Sequence, residues 1–220
     1  MSRVLIVHYS RTGHTARLAA ALAAELRRRG CEVDTEAIRV VHDWNKWLLP
    51  LPLLPLLPLL TLYLMSARFR RLWHRIYFQP QQAIRPLAFA DASAYDWVLL
   101  GTPKWLYLSY PVARWLDTVH GLAGKRVAAF ATFCGPPLKV FELEMLFAPL
   151  ADRIQARGAT MADRLAVSSN HHPYFFFGEM EALFRFISRK VFKRSLVDFT
   201  LDGEVGQAEV QRFCDAVGAG

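Results

Sequence analysis

The sequence predicts an α/β protein built on a parallel sheet, and three observations carry that expectation. Short apolar runs of strand type alternate with helix-forming stretches along most of the chain. Glycines stand at the ends of the expected helices, at Gly30, Gly158 and Gly218. A hydroxyl-rich loop, Ser10 to Thr15, joins the first strand to the first helix. Strands separated by helices at this spacing imply βαβ units with right-handed crossovers, and hence strands that run in parallel.

The first strand is Arg3 to Tyr9, an apolar run with no charged leader before it, so no export signal is expected and the compartment expected is the cytoplasm. After Thr15 an Ala, Leu and Arg stretch reaches Arg29, and Gly30 follows where a helix-terminating glycine belongs. Glu32 to Ile38 alternates in polarity as a half-buried strand does. Trp97 to Gly101 and Arg126 to Thr132 are strands of the kind covered on both faces, and Met161 to Val167 is a weaker strand. Helices are expected at Tyr110 to Val119, Phe141 to Arg157 and Glu204 to Val217.

Hydrophobic residues make up 53% of the 220 positions and charged residues 21%, which excludes a disordered or collagen-like chain and favours one globular domain over residues 1–220. The cysteines Cys31, Cys134 and Cys214 share no CxxC spacing, so neither a disulfide framework nor a metal centre is expected. The net charge of +8 is unevenly spread. Between Asp43 and Asp91 there are six bases and no acid; between Glu181 and Asp198 there are five bases and no acid. Those eleven charges exceed the net, so the remainder is mildly acidic at −3. Bases gathered in two apolar stretches point to membrane lipid before nucleic acid.

These stretches coincide with two connections that are too long. Between Ile38 and Trp97 lie 58 residues, where about 10 to 12 plus short loops complete a crossover. The first insert spans 44–90 and opens with nineteen uncharged residues, Trp47 to Met65. Its prolines Pro50, Pro52, Pro55 and Pro58 remove backbone donors that hydrocarbon could not replace, so a membrane span is not expected. A helix can begin near Leu59, and from there Phe69, Leu72, Trp73, Ile76 and Tyr77 form one stripe, with Arg68, Arg71 and Arg75 on another face. The second insert, 168–196, repeats the device: Met180, Leu183, Phe184, Ile187 and Val191 on one stripe, with Arg185, Arg189, Lys190, Lys193 and Arg194 around it. A basic amphipathic helix lies in the headgroup plane of a bilayer, so 59–78 and 180–194 are the expected lipid contacts, on the inner face of the membrane. The alternative is that both stripes pack on the protein's own core or on a partner.

The loop Ser10 to Thr15 has the chemistry of a phosphate site. Backbone N–H groups at a helix N-terminus face an anion, the helix dipole adds partial positive charge, and Ser10, Thr12 and Thr15 supply hydroxyls, while Gly13 lets the backbone approach. It is neither a GxxxxGK[ST] loop nor a GxGxxG fingerprint. An ordinary βα turn with a hydroxyl cap is the alternative. Cys134 has no sequence feature that would lower its pKa and receives no catalytic role. His171 and His172 follow the fifth strand on the ligand side, where they would donate a proton or meet an anionic headgroup.

Tyr9 to Thr15 (YSRTGHT) resembles the FMN-phosphate signature of the flavodoxin superfamily, and the resemblance continues through the order of elements to the C-terminal helix. It implies a five-stranded doubly wound sheet of order 2-1-3-4-5, with FMN beyond the carboxyl ends of the strands at the switch point. It implies phosphate contacts from Ser10, Arg11, Thr12, Gly13, His14 and Thr15. The loop 101–111 (GTPKWLYLSYP) resembles the family's isoalloxazine-flanking loop and implies contacts from Thr102, Pro103, Lys104, Trp105 and Tyr107, with Trp105 as the stacking partner. Thr132, Phe133, Cys134 and Gly135 match the second flavin-ring loop, which offers backbone N–H groups.

Within the superfamily, residues 104–116 and the Trp- and Pro-rich first insert look most like a group labelled dialkylresorcinol condensing enzymes, although carbon–carbon condensation would need an activated cysteine with basic partners. The second insert is similar to part of the flavodoxin-like protoporphyrinogen oxidases, which the family associates with quinone. The expected function is therefore a membrane-associated FMN-dependent oxidoreductase acting on a lipophilic substrate such as a quinone, with NAD(P)H as an electron donor. A one-electron carrier and a non-enzymatic membrane-bound module are the alternatives.

Overall fold

The computed structural model describes residues 2–41, 61–62, 65–69, 72, 83–104, 108–138, 143–169 and 182–218. Five strands form one all-parallel sheet: β1 (Arg3–His8), β2 (Glu32–Ala37), β3 (Trp97–Pro103), β4 (Arg126–Phe133) and β5 (Thr160–Ser168). Their order across the sheet is β2-β1-β3-β4-β5, as the resemblance implies. Among the described residues, they are connected or closed by α1 (His14–Arg28), α2 (Tyr110–Thr118), α3 (Met145–Ala156) and α4 (Glu204–Gly218). Each strand and helix expected outside the two inserts is present, with ends displaced by a few residues. The largest displacement is α3, which begins at Met145 rather than Phe141; Phe141 lies outside the described residues.

Alternation within the strands divides the core in two. Leu5, Val7, Val98, Leu100, Val127 and Ala129 face α2 and α3, packing on Trp115, Leu116, Phe147 and Ile154. Val4, Ile6, Leu99 and Phe130 face α1 and α4, packing on Leu18, Leu22, Leu26, Val210 and Phe213. With helices on both sides, β3 is buried at every position, in keeping with the apolar run Trp97 to Leu100 that opens it. The edge strands β2 and β5 alternate instead. Helix α1 carries its buried residues at 15, 18, 19, 22, 23 and 26, a single stripe. It ends at Gly30: Gly30 N–H donates to the Arg27 carbonyl (2.9 Å) and Cys31 N–H to the Leu26 carbonyl (3.0 Å), satisfying carbonyls the helix leaves open.

Both inserts leave the sheet at its carboxyl edge, one after each edge strand. The first is closed at its base by an antiparallel rung, with Arg85 N–H donating to the Arg39 carbonyl (2.7 Å) and Val41 N–H to the Ala83 carbonyl (3.1 Å). Glu36 secures the returning chain by accepting the Ala88 and Phe89 N–H groups (2.7 and 2.9 Å). The second is closed by a parallel bridge between Ser168 and Thr200. Of the first insert's expected stripe, Phe69 is half-buried and Leu72 exposed; Trp73, Ile76 and Tyr77 lie outside the described residues, as does the proline-rich run 47–60.

In the second insert, helix 182–187 passes into a π-helical turn, Ser188–Phe192. Here the expected single stripe is corrected. Phe184 and Ile187 are half-buried, but Leu183 and Val191 are exposed, and Phe186 joins them on the outside. The wider π turn shifts the phase that a constant 3.6-residue period assumes, so Val191 turns away from the body. Arg185, Arg189, Lys190, Lys193 and Arg194 are all exposed. Among the described residues no helix is long and apolar enough to cross a membrane.

Candidate functional site

The loops after β1, β3 and β4 converge at the middle of the sheet's carboxyl edge, between the two inserts. The ladder continues into them: Tyr9 N–H donates to the Gly101 carbonyl (3.0 Å), and Lys104 N–H to the Thr132 carbonyl (2.7 Å). From there the chain turns through Ser10 to Gly13 into α1. Gly13 adopts φ +91, in the left-handed region, and the space where a Cβ would stand is open. Thr12 and Gly13 are exposed, while Arg11 and His14 are half-buried. No side chain caps α1 and no acid occupies its first turn, so its N-terminal N–H groups face outward beside neutral or basic neighbours. Ser10 Oγ is buried and has no hydrogen-bond partner among the described residues. A buried hydroxyl without a partner costs free energy that a bound acceptor would recover.

The hydroxyls of Thr15, Thr102 and Thr132 are already engaged. Thr15 Oγ1 and Thr132 Oγ1 lie 2.8 Å apart, joining the first turn of α1 to the end of β4 beneath the loop. Thr102 Oγ1 lies 3.0 Å from Ser109 Oγ, closing the base of the 104–108 loop. Thr15, Thr102, Pro103, Thr132 and Phe133 are buried, so these expected contacts act as the floor of the site rather than its rim. Lys104 is half-buried at the rim; Trp105 and Tyr107 lie outside the described residues, as do His171 and His172. Cys134 is half-buried, with its Sγ 3.7 Å from Ser169 Oγ. Ser169 also ties the β4 loop to the start of the second insert, its N–H donating to the Phe133 carbonyl (2.8 Å).

Two histidines border the loop. Burial holds His8 below the ordinary imidazole value, and burial followed by the nearby Arg17 guanidinium does the same for His14. Arg17 itself is held by both oxygens of Asp202 (2.7 and 3.0 Å). Among the described residues no cluster of three His, Cys, Asp or Glu side chains gathers.

Sequence reasoning did not place Phe184. Its ring covers Gly135 in the β4 loop so closely that a Cβ there would stand 2.9 Å from Phe184 Cδ1 and 3.0 Å from Cγ. Helical periodicity put Phe184 on the stripe expected to meet lipid, with packing on the body as the alternative, and nothing local to it names the loop it meets. A groove of about 380 Å³ on the flank is lined by Phe147, Ala166, Phe199 and Arg212 and reaches the β4 loop only at Pro137. Arg212 there is paired with Asp163 and Glu209, each at 2.9 Å.

The fold is similar to that of two-electron reduced Megasphaera elsdenii flavodoxin, with a TM-score of 0.51 and 14% identity over 99% of each chain. Oxidised flavodoxin 2 from Bacillus cereus gives 0.51 at 15% identity, again over 99% of each chain. A flavoprotein in complex with FMN from Lactobacillus acidophilus NCFM gives 0.50 at 16% identity, covering 76% of this chain and 93% of that one. The sheet order and these likenesses make the fold flavodoxin-like. No family model matches the sequence, and neither does any curated protein.

Proposed function

We propose that this flavodoxin-like chain binds FMN without a covalent bond and works as an oxidoreductase on a lipophilic substrate at a membrane surface. One observation carries the first part: a buried Ser10 hydroxyl lacking a partner lies beside an uncapped helix N-terminus, at the carboxyl ends of β1, β3 and β4. That donor set fits a phosphate monoester, which takes hydrogen bonds from N–H and O–H groups and is favoured by the dipole of α1. Ser10, Thr12 and the N–H groups of residues 12–15 would hold the phosphate, with Arg11 beside them. The Lys104 and Cys134–Gly135 loops would flank the ring system, above a floor braced by Thr15 with Thr132 and Thr102 with Ser109. When bound, a flavin supplies hydride and single-electron transfer; the protein's part is to orient it and limit water.

The lipophilic substrate and the membrane belong to the same proposal. They are supported by the partial resemblance of the second insert to flavodoxin-like protoporphyrinogen oxidases, by the apolar run 47–60, and by the exposed Leu183, Phe186 and Val191 among five exposed bases. NAD(P)H is the proposed donor and a quinone the proposed acceptor, with the protein peripheral on the inner membrane face. The test is steady-state NAD(P)H oxidation with short- and long-tailed quinones, on the full chain and on a chain lacking 51–60. Deletion is expected to abolish turnover of the long-tailed quinone and spare the short one. Equal loss for both contradicts the role of the insert, and flavin binding without turnover for any quinone leaves a carrier instead of an enzyme.

A further inference from the structure

The helix of the second insert touches two things at once. Residues two apart on a helix point to nearly opposite sides, since each step turns about 100°. Phe184 and Ser188, four apart, therefore share one side, and Phe186 and Lys190 share the other. The structure agrees: Ser188 is fully buried and the Phe184 ring lies on Gly135, whereas Phe186 is 59% exposed. Lys190 Nζ stands 6.0 Å from the Phe186 ring. The far end of the helix is moored as well, by Ser188 Oγ donating to the Arg194 carbonyl (2.9 Å) and by Phe192 meeting Phe199 edge-on at 5.3 Å. The inner face is thus seated on the β4 loop, and the outer face presents Leu183, Phe186 and Val191 ringed by bases and free of acids from 182 to 197.

We propose that this helix couples lipid to the flavin site: docking of its outer face on an anionic bilayer fixes Phe184 over Gly135 and thereby raises the affinity of the β4 loop for FMN. The inference rests on the proposed FMN binding and adds a regulator to it. The occupant of the outer face is an anionic lipid surface because the charges are complementary and the bases border the apolar side chains, so they can reach headgroups while those side chains enter the acyl boundary. Gly135 is the receiving point for a physical reason. It is buried with φ +97, a conformation that favours glycine, and the ring occupies the space above it, so the loop's backbone cannot shift toward the helix without displacing Phe184. Coupling between two sites is reciprocal, so FMN must tighten lipid binding by the same factor by which lipid tightens FMN.

The experiment measures the FMN dissociation constant of the full chain by quenching of flavin fluorescence, alone and with saturating vesicles of phosphatidylcholine or of phosphatidylcholine with phosphatidylglycerol. The expected result is binding about five-fold tighter or more with the anionic vesicles and no change with the neutral ones. Vesicle flotation of FMN-free and FMN-loaded protein should show the same ratio. In Phe184→Leu and Phe184→Ala the ratio should fall to one while flotation on anionic vesicles persists. In Phe186→Ser flotation itself should be lost. FMN constants that are equal with and without anionic vesicles, in protein that floats, overturn the coupling and leave FMN binding standing. Failure to bind FMN under every condition overturns FMN binding and the coupling with it. Self-association of the free protein that Phe186→Ser abolishes assigns the outer face to a second copy and overturns the lipid surface.

Discussion

Ser10 is where stability and binding pull apart. Its hydroxyl is buried without a partner among the described residues, so in the FMN-free protein it costs free energy rather than supplying it. Ser10→Ala should therefore leave the free protein as stable as the parent, or more stable by up to about 1 kcal/mol, and should weaken FMN binding roughly ten-fold, the value of one hydrogen bond to a charged acceptor. Denaturant titration of the free protein and an FMN titration read the two effects. A variant that loses stability and affinity together would make Ser10 structural. The residue types that lead to the proposed phosphate loop, hydroxyls, a glycine and a helix start within a few positions, were plain in the sequence. Which hydroxyl stays available was not, because Thr15 meets Thr132 across 117 positions and no local pattern encodes that contact.

That pairing belongs to the elements, since it joins the first turn of α1 to the last residues of β4. Both hydroxyls are buried, and neither has water to fall back on. Thr15→Val keeps the shape, removes one partner and strands Thr132, so it should cost about 1–3 kcal/mol. In a protein of this size that lowers Tm by roughly 2–12 °C. An unchanged Tm would show that the two helix and strand ends are positioned without it. The elements themselves were readable because buried strands of a parallel sheet are apolar throughout and α1 keeps one uninterrupted stripe. The second insert was read less well. Its sequence shows apolar and basic residues at helical spacing, but Leu183 is exposed ahead of the π turn Ser188–Phe192, and the turn changes the phase midway and brings Val191 outward. A constant period cannot anticipate that, because the turn depends on where Ser188 and Phe192 find their seats on the body.

At the scale of the whole molecule, parallel strands place every β-to-helix connection on one edge, and the strand order leaves a crevice where the chain reverses direction between β1 and β3. The loop Ser10–Gly13 lies there, the β3 and β4 loops lie beside it, and the two inserts rise from the outer strands on either flank. Charge follows the same plan: the doubly wound body is mildly acidic and the inserts carry the bases. A mildly acidic body with basic flanks would present its site toward an anionic surface, and that attraction weakens as salt screens it.

The most direct measurement is the visible absorption spectrum of the gently purified full chain, followed by titration of the colourless fraction with FMN. The account predicts a yellow protein, or one that turns yellow with a stoichiometry of one FMN per chain and loses most of its affinity in Ser10→Ala. A colourless protein that leaves FMN absorption and fluorescence unchanged at every concentration tried would contradict it.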